Sequence, residues 1–396
     1  MSERITYRAK WLLPDPWSVL ENGYVQAADN VILDIGSGRP PGDMPVVDLG
    51  SGVLMAPLVN AHTHLELSAL KDSLPFDMGF RHWVSELLRK RAALSGETLL
   101  AGAENAIGHL VESGCRVVGD ISTLGITRQP LLRSPLSGIF FQEHLGNFHS
   151  ERFQTENSES VSISLAAHAP HTTTPALFRR IKEATASNGL PMSVHLAESE
   201  DEFLFINSGR GKWADLLTER NIDFSDWPLP AKSPVQYLNA LGVLDAGTLA
   251  VHLIYCSEED LQLLHNKSVT VCFCPRSNSL LHGKLPDIPC FLASGFKPCL
   301  GTDSLASSPS LSILDEMAFI SAKYYSVSPS DIIAMGTVYG AAALGKDKNF
   351  GRLAPGFSGA PVYVPIETDK PSAVFRAIVT AGNAELNPIS KKAIGI

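Results

Sequence analysis

His62 and His64 stand in the run Asn60-Ala61-His62-Thr63-His64-Leu65-Glu66, directly behind the apolar stretch Val53–Val59. Side chains two apart on a strand point the same way, so two imidazoles at that spacing can grip one cation. Imidazole suits zinc and iron(II). So short a motif fits two polar loop residues equally well. The balance tips because further ligand types recur, each at the end of another apolar run. They are His168 in Ala166-Ala167-His168-Ala169-Pro170-His171, His195 in His195-Leu196-Ala197-Glu198, His252, and Asp303 in Gly301-Thr302-Asp303-Ser304.

His62, His64, His195 and Asp303 supply three nitrogens and one oxygen, a donor set for one divalent metal, zinc first and iron(II) second. A metal held this way keeps a position open for water and lowers its pKa toward neutrality. Glu198 lies three residues beyond His195. It can reach the same site without being a ligand and relay a proton to a leaving group. His252 is expected to orient the water. Its other reading is a fifth ligand, or a histidine that only supports the ligands. His168 is expected to meet substrate, as are Arg276, through a carboxylate, and Trp83, by stacking on a ring. For the last two a structural role is the alternative. His171 has a substrate contact or an ordinary loop role open to it. His82, His109, His144, His149, His265 and His282 lie in helix-like or loop stretches and read as surface or packing residues.

The elements that position these residues alternate. Strand candidates are Val53–Val59, Arg116–Asp120, Gly138–Gln142, Val161–Ala167, Met192–His195, Leu249–His252, Val269–Cys274 and Phe296–Gly301. Helical patterns follow most of them: Trp83–Leu94 and Thr98–Ser113, Pro175–Asn188, Glu202–Arg220, Glu258–His265 and Ser310–Tyr325. Eight strands with intervening helices predict an α/β fold, a (β/α)8 TIM-like barrel with its site at the C-terminal strand ends. A doubly wound sheet is disfavoured, because no Gly-rich phosphate turn follows the first strand. Short strands at both ends of the chain, Tyr7–Leu12, Val31–Ile35, Val362–Pro365 and Ala373–Thr380, predict a small β-sandwich domain built from both termini. The expected division is 1–56 and 346–396 for its two halves and 57–345 for the barrel. Residues 223–236, rich in Pro and Trp, read as a long loop with a lid or binding role.

The chain has 396 residues, 44% of them hydrophobic and 18% charged, enough for a large core and more than one domain. A formal net charge of −9 argues against nonspecific binding to nucleic acid or an anionic membrane and leaves a small-molecule substrate. Met1–Lys10 lacks the apolar core of a signal peptide, and no apolar run is long enough to span a bilayer, so a cytoplasmic location is expected. The six cysteines lie mostly in or beside apolar strand-like runs and are expected as buried free thiols. Cys272-x-Cys274 lacks the second thiol pair of a metal site. The oligomeric state stays open, a homodimer included.

These residues resemble the amidohydrolase superfamily over nearly the whole chain, and more narrowly its mononuclear aminohydrolase branch. His62-Thr63-His64, His195, His252 and Asp303 match that branch's metal and water-orienting positions. His195-Leu196-Ala197-Glu198 matches its His-x-x-Glu motif, which implies Glu198 as proton shuttle. His168-Ala169-Pro170 matches a histidine that contacts base or sugar. Finer detail is similar to the aminodeoxyfutalosine deaminases, carried by Asn60 through Ser68, Cys274-Pro275-Arg276-Ser277-Asn278, Ser233-Pro234-Val235 through His252, and Gly301 through Ser307. The resemblance implies hydrolytic deamination of aminodeoxyfutalosine or a similar adenine nucleoside, within menaquinone biosynthesis. Two-metal relatives carry a bridging lysine where His168 stands, which implies one metal here. Ala56-Pro57-Leu58, Ala360-Pro361 and His171 depart from the family pattern. Two other readings remain: a one-metal hydrolase of another class, a chlorohydrolase or cyclic amidase, and a non-catalytic binding protein on an old enzyme fold.

Overall fold

The computed structural model describes residues 4–147, 153–220, 222–357 and 361–382. Two sheets organise them. The first joins β1 (Arg4–Leu12), β2 (Leu20–Ala28), β3 (Val31–Ser37), β4 (Val46–Asp48) and β5 (Val53–Met55) from the N-terminal side. The second contains β6 (Leu58–Thr63), β7 (Cys115–Ser122), β8 (Ser137–His144), β9 (Val161–Ala167), β10 (Met192–Leu196), β11 (Thr248–His252), β12 (Thr270–Phe273) and β13 (Cys299–Leu300), paired in chain order. The last strand, β14 (Val362–Val364), returns to the first sheet and pairs antiparallel with β5. Both termini thus feed one small sheet, and the eight-stranded sheet is inserted between β5 and β14.

The eight strands are parallel, and several are buried along their whole length, as strands covered on both faces must be. Side-chain parity separates the two faces. Val117, Ile139, Phe141, Ala166, Val251, Cys272 and Cys299 cluster together with Leu344 and Phe350. The other parity, Leu165, Val194, Leu196, Ala250, Phe273 and Leu300, packs with helix residues such as Leu177 and Phe178. Continuing the first parity along β8, β9 and β10 leads to Glu143, His168 and His195, so the strand ends deliver these side chains to the barrel mouth. All six cysteines are free, four of them buried. No helix among the described residues is long and apolar enough to cross a membrane.

The barrel closes between β13 and β6. The N–H groups of Thr302 and Asp303 both donate to the His62 carbonyl, at 3.0 and 3.1 Å. Asn60 and Thr302 exchange two further bonds, and the Thr63 hydroxyl donates to the Asp303 carbonyl. Gly301 makes the approach possible, since a Cβ there would stand 2.7 Å from both Cβ and O of His62.

Three elements differ from the sequence reading. Ala373–Thr380 is not a strand but part of the helix Pro371–Ala381. Its buried Val374, Ile378 and Val379 follow helical spacing, and it packs on the helices Ile313–Lys323 and Pro329–Met335. The single helix expected over Glu202–Arg220 is two, Glu200–Ser208 and Lys212–Glu219. Gly209 and Gly211, at φ 66° and 97°, break it. Residues 223–236 do not line the cavity described below; Trp227 packs on Phe205 and Phe224 instead.

Gly301→Ala should therefore loosen the seam. Overpacking of this kind costs about 2 kcal/mol, to be read as a lowered denaturation midpoint in urea with unchanged slope. An unchanged midpoint would show that the seam absorbs a methyl group.

Candidate active site

Backbone strain turns the site residues inward. Ala197, His252 and Asp303, at the ends of β10, β11 and β13, have φ of 52°, 79° and 58°. Left-handed conformations cost a non-glycine residue about 1–2 kcal/mol, and they persist where surrounding contacts over-determine them. At Ala197 the contacts are visible. Glu202 accepts the N–H groups of Ala197 and Glu198 on its two oxygens, at 3.1 and 2.8 Å. Ser199 caps the following helix by accepting the Glu202 N–H. Glu198 is thereby held at a fixed corner beside His195.

The donor atoms of His62, His64 and Asp303 lie within 4.8 Å of one another, and so do those of His62, His195 and His252. Asp303 Oδ1 is 3.6 Å from His64 Nε2 and 4.0 Å from His62 Nε2. Both ring nitrogens of His62 are buried without a hydrogen-bond partner. Burial holds the pKa of His62 well below its ordinary value, with neighbouring histidines adding to the effect, and it lowers that of His64 as well. Unpartnered neutral imidazoles and an adjacent carboxylate oxygen fit a divalent cation.

The surrounding bonds aim these donors. Asp303 Oδ2 accepts from the hydroxyls of Ser277 (2.6 Å) and Ser307 (2.8 Å), leaving Oδ1 toward the histidines. His252 Nδ1 faces Asn278 Oδ1 at 2.8 Å. The amide oxygen can only accept, so Nδ1 carries the proton and the Nε2 lone pair faces the centre. His195 Nδ1 lies 3.0 Å from that Nε2, while its own Nε2 is 3.4 Å from Glu143 Oε1. The other Glu143 oxygen accepts from the Thr123 hydroxyl at 2.7 Å. Burial works to lower the His195 pKa, but Glu143 overrides it and raises the value to about 9. Burial likewise pushes Glu198 up, yet the surrounding histidines, His252 first, hold its carboxyl well below the usual range.

These groups open on a cavity of about 220 Å³. His64, His168, His171, His195, Glu198, His252 and Asp303 line it, together with Trp83 and an apolar stretch from Phe80, Val84, Leu87, Trp213, Leu217 and Leu281. Arg91 and Arg220 are its guanidinium groups. His168 is held by Thr172, at 2.6 Å from Nδ1. The Trp83 indole donates to the Ala306 carbonyl and stacks near Phe80. Arg276 is a correction. Its guanidinium faces Ser310, Asp315 and Glu316 and is absent from the cavity wall, because the carboxylates of the next helix capture it.

Sequence reading missed several residues. Glu143 directly follows a predicted strand end, a signal that was there to be read. Glu66 is buried, with Ser122 Oγ, Thr123 N and Leu124 N donating to it and Arg91 3.8 Å away. His282, taken as surface or packing, has a side chain only 4% exposed, 3.2 Å from Glu198. His149 lies outside the described residues.

The chain belongs to the amidohydrolase family, whose model matches residues 53–384. It is 31% identical over 303 residues, 71% of either chain, to an aminodeoxyfutalosine deaminase of Deinococcus radiodurans. A 5-methylthioadenosine/S-adenosylhomocysteine deaminase of Moorella thermoacetica is 27% identical over 373 residues, 87% of this chain and 82% of that one. Among solved structures, Helicobacter pylori aminofutalosine deaminase in complex with methylthio-coformycin superposes with a TM-score of 0.79 at 24% identity, covering 94% and 95% of the two chains. These relatives are deaminases of adenosine-like nucleosides by name, and this chain is, like them, a hydrolase of C–N bonds.

Two outcomes follow from the surroundings of His195. Glu143→Ala should weaken metal binding about 10- to 100-fold, measured by competition with a chromogenic chelator; unchanged affinity would remove Glu143 from any role at the centre. With Glu143 beside it raising its pKa, His195 would have to lose its Nδ1 proton to become a ligand. Metal titrations at pH 7.5 in buffers of different ionisation heat should show about one proton released, and none if the imidazole is already neutral.

Proposed function

We propose that this protein is a metal-dependent hydrolytic deaminase of an adenine nucleoside, with aminodeoxyfutalosine as first candidate substrate, which would place it in menaquinone biosynthesis. The observation that carries the reading is the Glu198 carboxylate, buried beside a three-imidazole, one-carboxylate donor set at the wall of a cavity large enough for a small ligand. His62, His64, His195 and Asp303 would hold one divalent ion, zinc first and iron(II) second. When bound, such an ion supplies Lewis acidity, which lowers the pKa of a water toward neutrality.

The chain's own residues do the remaining work. Glu198, kept ionised by the histidines around it, takes the proton of the attacking water. It delivers that proton to the ring nitrogen of the base, then carries the second proton, from the added hydroxyl, to the amino group, which departs as ammonia as the carbonyl forms. His252 presents its Nε2 lone pair toward the same point and orients the water. His168, tethered by Thr172 through one nitrogen, offers the other to a purine nitrogen or a sugar hydroxyl. The stretch that includes Phe80, Val84 and Leu87, with Trp83, suits a nucleoside bearing an apolar arm. Arg91 and Arg220 suit an acidic group at its end.

The decisive experiment is ammonia release by metal-loaded protein across adenine nucleosides, guanine, cytosine, chloro-triazines and simple cyclic amides. The loss of the adenine absorbance on conversion to hypoxanthine gives a second readout. Release of chloride, or amide cleavage, with no ammonia from any adenine nucleoside would overturn the reading. Glu198→Gln should keep its metal and lose about a hundredfold or more in turnover; loss of metal instead would make Glu198 a ligand. His168→Ala should keep its metal and lose mainly in kcat/KM. A folded but metal-free His168→Ala protein would contradict its assignment to substrate.

A further inference from the structure

We propose that His282 is a positioning residue for Glu198, holding one carboxylate oxygen so that the other is presented to the reacting atoms. The proposal rests on the reading of Glu198 as proton carrier. His282 ends the helix Pro275–His282, and its Nε2 lies 3.2 Å from Glu198 Oε1. An ionised carboxylate can only accept, so the imidazole donates through Nε2–H. A histidine in the last turn of a helix is ordinarily explained by the helix dipole and stands in solvent. This one is 4% exposed, with Phe80 packed on its ring at 4.6 Å between centroids.

No other side chain among the described residues hydrogen-bonds the Glu198 carboxylate. His252 Nε2 is 3.7 Å from Oε1, beyond hydrogen-bond reach. Its proton is committed on Nδ1 to Asn278, so it has none to offer Glu198. The backbone N–H of Glu198 is taken by Glu202, which fixes where the side chain starts and not where it ends. Three side-chain torsions remain to be set, and the bond from His282 sets them. That bond also survives the proton's passage. Once Glu198 is protonated on its other oxygen, Oε1 is the carbonyl oxygen of a carboxylic acid and still accepts. The carrier can therefore pick up and release its proton without losing its anchor, which is what pre-organised transfer requires.

The test uses the full metal-loaded chain as His282→Ala and His282→Gln, the second keeping an N–H donor. His282→Ala should retain its metal by elemental analysis and lose about 30- to 100-fold in kcat for ammonia release, the size expected for a carrier displaced by about 1 Å. Its KM should stay within about threefold, and His282→Gln should recover most of the loss. A crystal structure of metal-loaded His282→Ala should show the Glu198 carboxylate turned from its place. The proposal is overturned if kcat stays within threefold in both variants, or if Glu198 is unmoved. If His282→Ala fails to fold, His282→Gln decides: full activity with Glu198 in place supports the role, and inactivity with Glu198 in place refutes it. Should the wild type release no ammonia from any adenine nucleoside, the deaminase reading falls, while the position of Glu198 in the variant crystal still decides the role of His282.

Discussion

The seam between β13 and β6 is the contact on which the rest depends. One carbonyl, that of His62, accepts two backbone N–H groups, from Thr302 and Asp303. Two of these three residues, His62 and Asp303, supply an expected ligand nitrogen and the expected ligand oxygen. Closing the barrel and bringing His62 Nε2 to within 4.0 Å of Asp303 Oδ1 are therefore one event. A gap in a parallel sheet would leave a row of unpaired polar groups inside the protein. The fold cannot form without assembling half of the donor set. That linkage also explains why a glycine must sit at 301 and why Asp303 tolerates a left-handed backbone: both serve the turn out of a strand that closes the sheet.

Electrostatics then decides how so many titratable groups share one small volume. Burial alone would neutralise every one of them. The site answers by giving several of these groups a distinct neighbour. Asn278 fixes the tautomer of His252, two serine hydroxyls take one oxygen of Asp303, and Thr123 takes one oxygen of Glu143. His62 is left without any partner and stays neutral, while His195 between Glu143 and Glu198 is drawn the other way. A cation arriving among these groups would meet lone pairs already turned toward it and would displace one proton from His195.

Much of this could be read in the sequence, and the reasons are physical. Strands buried on both faces read as continuous apolar runs, and polar residues ending such runs stand out against them. His62, His64, His168, His195, His252 and Asp303 all announce themselves that way, and the structure gathers them. Glu143 was equally visible in position, but a single glutamate after an apolar strand has many ordinary explanations. Arg276 misled because its motif, Cys274 to Asn278, does serve the site, though through Ser277 and Asn278; the capturing carboxylates lie some forty residues on, at Asp315 and Glu316, and no local pattern reveals them. His282 was illegible for the same reason. Its partner is 84 residues away, and only the fold brings them together. The helix Pro371–Ala381 was misread because a short apolar run leaves strand and helix undecided until its packing partners are known.

The helix Pro275–His282 shows how the barrel turns that distance into coordination. It follows β12 directly, and its first and last turns face different parts of the same centre. Ser277 bonds Asp303 on β13's side, Asn278 bonds His252 from β11, and His282 bonds Glu198 from the corner after β10. Three groups from three other strands are thus referenced to one rigid eight-residue element. Arg276, bound to the carboxylates of the helix Ile313–Lys323, ties that element to the barrel wall rather than to a ligand. A helix so anchored cannot shift without moving the expected ligand, the histidine proposed to orient water and the proposed proton carrier together. Their spacing is accordingly a property of the folded chain, set before any substrate enters, which is the condition under which positioned groups accelerate a reaction most.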